Sequence, residues 1–272
     1  MGDPTRRRLA TLVRARDPDV AEAGLLVSAL ADASVDVAAD LLRVDAVADT
    51  VRTQRGTSDD PIASASVLAA VLGEDLGFSG DRAHYHDPRN SLLHEVLRRR
   101  TGMPITLSML YVAVARRAGI PAFGVGLPGH YVMAVAGRER AIVLDPFDRG
   151  AQRSEAELAD LVAASTHGRT RFNRAMVRPT PVAATIRRVL DNLTRDYVRA
   201  SDPAGALWTI EAKLVLPDPP ASDLRLHGEM LMAVGRFGQA AASFEAYVSA
   251  APDASDRDTV AARAIGARAN LN

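Results

Sequence analysis

The hydrophobic pattern of this chain changes period abruptly after Pro121, and few architectures accommodate such a change. On either side of this region, apolar residues recur every three or four positions, as on one face of an α-helix. Between the helical regions lie three short segments, AFGVGL, HYVMAVA and RAIVLD, separated by turn signals at Pro128-Gly129 and near Gly137. This spacing is typical of adjacent antiparallel strands. The sequence therefore predicts an α+β fold with a small antiparallel sheet between two helical regions.

The residues before the strands predict several helices. Apolar positions at helical spacing run from residue 19 to about residue 52, and a further helix is expected over residues 63–76, ended by Gly77. The segment SLLHEVLRRR predicts another helix with Ser91 as its N-cap. Residues 106–118 predict a helix that is buried on most sides, because apolar residues occupy more than one of its faces.

The last part of the chain contains an internal repeat. Ala206 and Ile210 are followed 34 residues later by Ala240 and Phe244. This offset is the period of tetratricopeptide repeats, in which a small residue lets paired helices approach and a large one fills the space between them. The sequence therefore predicts tetratricopeptide-like helical hairpins at the carboxyl end.

Composition excludes several classes of function. The 272 residues include no cysteine, which rules out disulfides, thiolate metal sites and a cysteine nucleophile. Because 33 basic residues balance 33 acidic ones, no net charge attracts nucleic acid. We interpret the cluster of Arg89, Arg98, Arg99 and Arg100 as a solvated helix face or as ion-pair partners.

No window approaches the roughly 20 apolar residues of a membrane span, and the amino terminus does not resemble a signal peptide. We expect a cytoplasmic protein with no nucleic-acid or membrane partner.

Three histidines lie close together in the sequence. His84, His86 and His94 could form a metal site with Asp87 or Glu95, but their spacing matches no defined metal geometry. We therefore expect no metal and no cofactor.

A second group of polar residues points to chemistry. His130 begins the second predicted strand and Asp145 ends the third, so neighbouring antiparallel strands can set the carboxylate beside the imidazole. Such a pair is either functional or purely structural. Thr106 and Ser108 lie in the first turn of the preceding helix, where free N–H groups favour an anion or an activated nucleophile. Capping, or hydrogen bonding to the helix backbone, is the alternative role of these hydroxyls.

The central third of the chain resembles the core of the transglutaminase-like family of the bacterial SirB type, which is related to a region of certain eukaryotic F-box proteins. The motifs PRNSLL, RTGMPITL, ARRAGIP, GLPGH and LDPF occur in that order over residues 88–147. The resemblance implies a helix packed on an antiparallel sheet. It also favours a division into a helical region over residues 1–80, a transglutaminase-like core over 81–180 and tetratricopeptide-like repeats over 181–272.

In that family the functional order is nucleophile, His, Asp, as in the wider transglutaminase and papain-like proteins. The resemblance implies that His130 and Asp145 are the second and third members. Pro104 stands where active relatives carry cysteine in a Gly-x-Cys motif, so the nucleophile is missing. The candidate binding residues, in or next to the matched motifs, are Asn90, Gly129 and Tyr131.

Two functions fit these observations. The first is a non-catalytic module that binds a protein or peptide, partly through the repeats. The second is a residual hydrolase or acyl transferase acting on peptides or amides. In the second, His130 is the general base and Asp145 orients it, while Thr106, Ser108 or a water is the nucleophile. The missing thiol favours the first function; the sequence identifies no substrate, partner or oligomeric state.

Overall fold

A computed structural model describes residues 3–138 and 140–270. The chain forms two compact units, one over Ala15–Val189 and one that combines Met1–Arg14 with Leu190–Asn272. The described residues are rich in helix and include a small antiparallel sheet, so the α+β prediction is confirmed.

An aspartate side chain caps the amino end of each of the first four helices. The described chain opens with four helices: α1 (Pro4–Leu12), α2 (Val20–Ala31), α3 (Val37–Arg55) and α4 (Pro61–Leu68). Each follows an aspartate whose carboxylate accepts hydrogen bonds from two backbone N–H groups: Asp3, Asp19, Asp36 and Asp60. A π-helical segment, Ala69–Asp75, continues α4, and Gly77 follows with φ +72°. The predicted helices over 19–52 and 63–76 are confirmed, whereas α1 was not predicted.

The polar segment that follows forms short elements. They are β1 (Ser79–Gly80), a 3-10 turn (Pro88–Ser91), α5 (Leu93–Arg99) and β2 (Thr101–Gly102), with β1 and β2 paired in parallel. The prediction that Ser91 is the N-cap of α5 is wrong. Ser91 belongs to the 3-10 turn, and its hydroxyl lies 3.0 Å from the sulfur of Met103. The N-cap position is Leu92, which has no side-chain cap to offer.

The helix α6 (Pro104–Arg117) runs through the centre of the larger unit. Its residues from Pro104 to Ala115 are all buried. Arginines occupy its last turn, and Gly119 follows at φ +75°. The buried helix predicted over residues 106–118 is thus confirmed; it begins two residues earlier, because proline is well suited to the first helical position.

Four antiparallel strands form the sheet, in the order β3 (Ala122–Leu127), β4 (His130–Val135), β5 (Ile142–Asp145) and β6 (Ala151–Arg153). The three predicted strands are confirmed, and β6 is an additional one. After the sheet, α7 (Glu155–Thr166) begins with a capping box formed by Ser154 and Glu157.

The two faces of the sheet pack on different helices. Val132, Ala134 and Val143 share an apolar cluster with Leu158 and Val162 of α7. Successive side chains of a strand point to opposite faces, so Tyr131 and Met133 face the other way. On that side, a cavity of about 40 Å³ lies between Tyr131 and the α6 residues Ser108 and Met109.

The remaining helices are α8 (Val182–Arg199), α9 (Pro203–Lys213), α10 (Ala221–Ala233), α11 (Phe237–Ala250) and α12 (Arg257–Ala269). The residues that carry the 34-residue period are at most 1% exposed: Ala206, Ile210, Ala240 and Phe244. Gly228 of α10 permits the close packing of α11, because a Cβ there would lie 2.4 Å from Cε1 of Phe244. The predicted helical hairpins are confirmed.

A buried cation joins three of these helices. Nζ of Lys213, the only lysine, lies 3.0 Å from Asp191 Oδ1 and 3.1 Å from Asp223 Oδ1, and its side chain is 4% exposed. Lys213→Met leaves the buried Asp223 carboxylate without its cation, so we expect the free energy of unfolding to fall by about 3 kcal/mol. Urea unfolding followed by the fluorescence of Trp208, the only tryptophan, measures this change.

The matched control is Arg257→Met, which breaks an exposed ion pair with Asp258. Its expected cost is below about 1 kcal/mol, since solvent screens exposed pairs. Equal losses in the two variants would contradict a buried role for Lys213.

Candidate functional site

The structure brings His130 and Asp145 into hydrogen-bonding distance. His130 is the first residue of β4, Asp145 is the last of β5, and these strands are paired with Met133 opposite Leu144. Nε2 of His130 lies 3.1 Å from Oδ1 of Asp145. Both residues are buried, with exposures of 9% and 2%. The pair expected from the strand order is therefore formed.

The Asp145 carboxylate has several donors around it. Oδ1 also accepts the backbone N–H of Phe147 at 3.2 Å, and Oδ2 lies 3.4 Å from Nη2 of Arg153. Burial raises the pKa of Asp145, but the hydrogen bond and charge of His130 and the guanidinium of Arg153 outweigh it and hold the pKa below its usual range. The carboxylate is therefore ionised at neutral pH, and it favours the tautomer in which Nε2 carries the proton.

The other ring nitrogen of His130 is available. Among the described residues, no group hydrogen-bonds to its Nδ1. The ring of Phe147 meets the imidazole edge to face, with centroids 6.2 Å apart, and the guanidinium of Arg82 lies 4.9 Å from the Phe147 centroid. Nδ1 is thus the position at which His130 can exchange a proton.

The two candidate hydroxyls do not meet His130. Ser108 Oγ donates to the carbonyl oxygen of Tyr131 at 3.4 Å, and Thr106 Oγ1 is buried without a partner among the described residues. Alternation along β4 places His130 with Val132 on the sheet face that packs on α7, whereas Ser108 approaches from α6. The alternative prediction, that these hydroxyls cap α6 or hydrogen-bond to its backbone, is wrong. No side chain caps α6, and neither hydroxyl bonds to the helix backbone.

Tyr111 is the residue of α6 whose pKa is affected by the charge of Asp145. Its side chain is fully buried, and its hydroxyl has no partner among the described residues. Burial, and to a lesser extent the negative charge of Asp145, raises the pKa of Tyr111. Tyr111 therefore stays protonated over the accessible pH range.

Pro104 is the first residue of α6. Its side chain has no nucleophile, and its nitrogen has no hydrogen to donate. The first residue of α6 therefore supplies neither a nucleophilic side chain nor a backbone donor.

Two of the three candidate binding residues make internal hydrogen bonds, and the third lies in a tight turn. Asn90 donates to the carbonyl of His84 at 2.7 Å and accepts from Arg99 at 3.1 Å. Gly129 has φ +74° in the turn between β3 and β4. The Tyr131 hydroxyl lies 2.8 Å from Thr185 Oγ1. A binding role for these residues stays a prediction.

Arg188 of α8 holds the backbone next to His130, and sequence reasoning missed it. Its Nη1 donates to the carbonyl of Leu127 at 2.9 Å and its Nη2 to the carbonyl of His130 at 2.8 Å. The guanidinium also lies 5.5 Å from the centroid of the Tyr131 ring. No sequence signal could have indicated this contact, because 58 residues separate the partners.

The histidine cluster does not assemble. His84 Nδ1 lies 3.7 Å from Asp81, and His94 Nε2 lies 3.6 Å from Glu95. Across residues 3–138 and 140–270, no three His, Asp or Glu side chains form a group that could hold a metal ion.

The arginines near this cluster have acidic partners. Arg89 pairs with Asp87 at 2.6 Å, Arg98 with Glu95 at 2.7 Å and Arg99 with Asp81 at 3.1 Å. For these three the interpretation as ion-pair partners is confirmed, whereas the exposed Arg100 follows α5 at φ +59° without an acidic partner among the described residues. Separately, none of the described helices has the length and apolar character needed to cross a membrane.

Two protein-family models match adjacent parts of the chain. Residues 40–191 match the transglutaminase-like superfamily, and residues 193–264 match a tetratricopeptide repeat. No solved structure matches.

Relatives with similar sequences occur in bacteria and in animals. A UPF0162 protein of Xylella fastidiosa (strain 9a5c) is 34% identical over 201 residues, which cover 71% of each chain. A UPF0162 protein of Pseudomonas aeruginosa is 28% identical over 204 residues, 72% of this chain and 74% of the relative. F-box only protein 21 of Mus musculus is 41% identical over 78 residues, 29% of this chain and 12% of the relative.

The lowered pKa of Asp145 predicts how stability changes with pH. A carboxyl whose folded pKa lies below its unfolded value of about 3.9 stabilises the fold above that value, and the contribution is lost as pH falls through the folded pKa. Asp145→Asn should therefore lower the free energy of unfolding by about 1 to 3 kcal/mol at pH 7. The difference from the wild type should shrink below about pH 4, as measured by urea unfolding at a series of pH values.

Asp258→Asn is the control, because the Asp258 side chain is 96% exposed and its effect should be small at every pH. A cost of Asp145→Asn that does not change between pH 7 and pH 3 would refute the assignment of an ionised, stabilising carboxylate.

Proposed function

Because the chain belongs to the transglutaminase-like superfamily and also carries tetratricopeptide repeats, we propose that it is a non-catalytic module that binds a protein or peptide. The observation that carries this proposal is the absence of cysteine from the whole sequence, with Pro104 as the first residue of α6. Repeats of this type generally mediate protein–protein interactions. The proposal includes membership of the SirB type.

The proposal that the protein is not a catalyst rests on the chemical requirements of acyl transfer. A serine or threonine hydroxyl attacks a carbonyl carbon only when a base within hydrogen-bonding distance accepts its proton. The Ser108 hydroxyl faces the carbonyl of Tyr131, and the Thr106 hydroxyl has no recorded partner among the described residues. Among the described residues, neither of these hydroxyls therefore has His130 as its base.

The binding part rests on a groove in the repeat unit. A cavity of about 420 Å³ there is lined by apolar side chains, including Met232 and Phe244, and by the ion-paired Glu229 and Arg263. Ile265, next to the lining residue Gly266, is 72% exposed. An apolar floor with charges of both signs at its rim suits a peptide segment.

Gly266→Trp tests the groove. A Cβ at Gly266 would meet no atom within 4 Å, so a large side chain can enter the open space without disturbing α12. Affinity capture from the native lysate, followed by size-exclusion chromatography, should recover a stoichiometric partner with the wild type. We expect the variant to lose at least about 90% of that partner, equivalent to a tenfold weaker affinity.

Leu42→Trp is the matched control, since Leu42 is 67% exposed and lies in the other unit. It should keep the partner. Recovery that is equal for both variants would place binding outside the groove, and the consistent absence of any partner would refute the proposed function.

The second candidate is a residual hydrolase that uses water. One observation favours it: Nδ1 of His130 has no partner among the described residues, while Asp145 orients the ring from Nε2. A water beside Nδ1 would lose its proton to the imidazole as its oxygen attacks an amide or ester carbonyl. Acyl transfer through Thr106 or Ser108 would need those side chains to move first.

His130→Ala separates the two candidates. Under the non-catalytic proposal, hydrolysis of a panel of amide and ester substrates by the wild type and by His130→Ala should be equal. A functional base would contribute roughly a hundredfold or more to the rate. His84→Ala is the control, since the His84 side chain is 78% exposed. A rate that falls in His130→Ala alone would replace the non-catalytic proposal with the second candidate.

A further inference from the structure

The stretch of sequence from the middle of α7 to the middle of α8 contains no acidic residue. Residues 161–190 hold six arginines and neither aspartate nor glutamate. Because about one residue in eight of the whole chain is acidic, three or four would be expected in a stretch of this length. A chain with no net charge therefore concentrates positive charge in this stretch.

Apolar side chains and a backbone hydrogen bond anchor the segment that joins α7 to α8. Phe172, Met176 and Val177 pack against the apolar cluster between the sheet and α7. Further along, the backbone N–H of Thr180 donates to the carbonyl oxygen of Gly124, 2.9 Å away on the edge strand β3. The arginines that alternate with these anchors are therefore carried on a backbone that is fixed to the sheet.

Three of these arginines are exposed and have no acidic partner. Nε of Arg169 donates to the carbonyl oxygen of Thr166 at 3.0 Å, a contact that leaves the charge of the guanidinium unbalanced. Arg171 and Arg178 form no ion pair within the described part of the chain. Arg174 differs from them, because it pairs with Glu155 at 3.2 Å. We call Arg169, Arg171 and Arg178 the arginine surface.

Many acidic residues of the same unit lie on the other side of the sheet. Residues 17–60, which include α2 and α3, hold ten acidic and three basic residues. Both helices contact α6, and α6 packs on one face of the sheet. The segment that carries the arginine surface packs on the opposite face, together with α7. The carboxylates of α2 and α3 therefore do not neutralise the arginine surface.

We propose that the arginine surface binds an acidic segment of a partner protein. Guanidinium groups form charge-assisted, often bidentate hydrogen bonds with carboxylates. The backbone from Arg169 to Arg178 spans at most about 30 Å, so roughly eight to ten extended residues of a partner cover it. This inference is independent of the groove in the repeat unit, because residues 169–178 belong to the other unit.

A nucleic acid suits this surface less well than an acidic peptide. Proteins that bind single strands stack the bases on aromatic side chains in addition to contacting the phosphates. Phe172 is the only aromatic residue in the segment 169–178, and it packs inward against the apolar cluster. The surface therefore offers charge without a stacking platform.

An NMR titration of the full chain tests the proposal with three probes. They are a ten-residue peptide of alternating Glu and Gly, the same peptide with Gln in place of Glu, and a ten-nucleotide oligouridylate. In about 50 mM salt, where exposed charges are only partly screened, the acidic peptide should shift the amide signals of residues 169–178. We expect each of the other two probes to bind at least roughly tenfold more weakly.

The double variant Arg171→Gln, Arg178→Gln should weaken binding of the acidic peptide at least roughly fivefold. Its matched control is Arg43→Gln, Arg98→Gln, which also removes two positive charges. The side chains of Arg43 and Arg98 are 65% and 63% exposed and lie outside the arginine surface, so the affinity should not change.

Several results would overturn the proposal. They are equal affinity for the Glu and Gln peptides, an equal loss in the two double variants, tighter binding of the oligouridylate, shift changes confined to other residues, and no binding up to about 10 mM. A dimer of the free chain that Arg171→Gln, Arg178→Gln abolishes would assign the surface to a second copy of this chain instead.

Discussion

The helix α6 is buried along nearly its whole length, and the larger unit is arranged around it. α2 and α3 contact it on one side and β3 and β4 on the other. A helix covered in this way needs apolar residues on more than one face: Leu107 and Leu110 on one face and Met109 and Val112 on another are at most 4% exposed. Any polar group on α6 must then find a partner inside the protein or cost free energy. The bond from Ser108 to the Tyr131 carbonyl meets that requirement and ties the helix to the sheet.

The two-residue alternation of side chains along each strand determines which polar side chains share a face of the sheet. Antiparallel pairing places His130, Asp145 and Arg153 diagonally across β4, β5 and β6. Successive side chains of a strand point to opposite faces, and these three occupy positions that point to the same face. They form a continuous row in which each member has a partner within 3.4 Å. A shift of one residue in any strand would turn one of these polar side chains to the opposite face.

Local patterns predicted much of the fold and part of the site. The strands around His130 and Asp145 follow from short apolar segments and turn residues, and their neighbouring positions follow from hairpin order. The strand β6 was missed because three residues are too few to show alternation. Ser91 was misassigned because Asp87 starts a 3-10 turn four residues earlier, which moves the helix start to Leu93. The partner of Ser108 depends on how α6 is rotated against the sheet, and Arg188 contacts His130 across 58 residues of sequence. Local sequence patterns predict neither contact.

The fold gives the His130–Asp145 pair a stabilising role that does not depend on catalysis. Proline is favoured at a first helical position, since its fixed φ suits the helix and the N–H it lacks would have no helical acceptor there. Pro104 therefore starts α6 without cost to the fold. Asp145 is different: it is 2% exposed and is held by His130, the Phe147 N–H and Arg153. Removing one of these partners leaves a buried charge less compensated, which is destabilising whether or not the site is catalytic. Stability alone thus favours keeping the pair, and its presence is no evidence of catalysis.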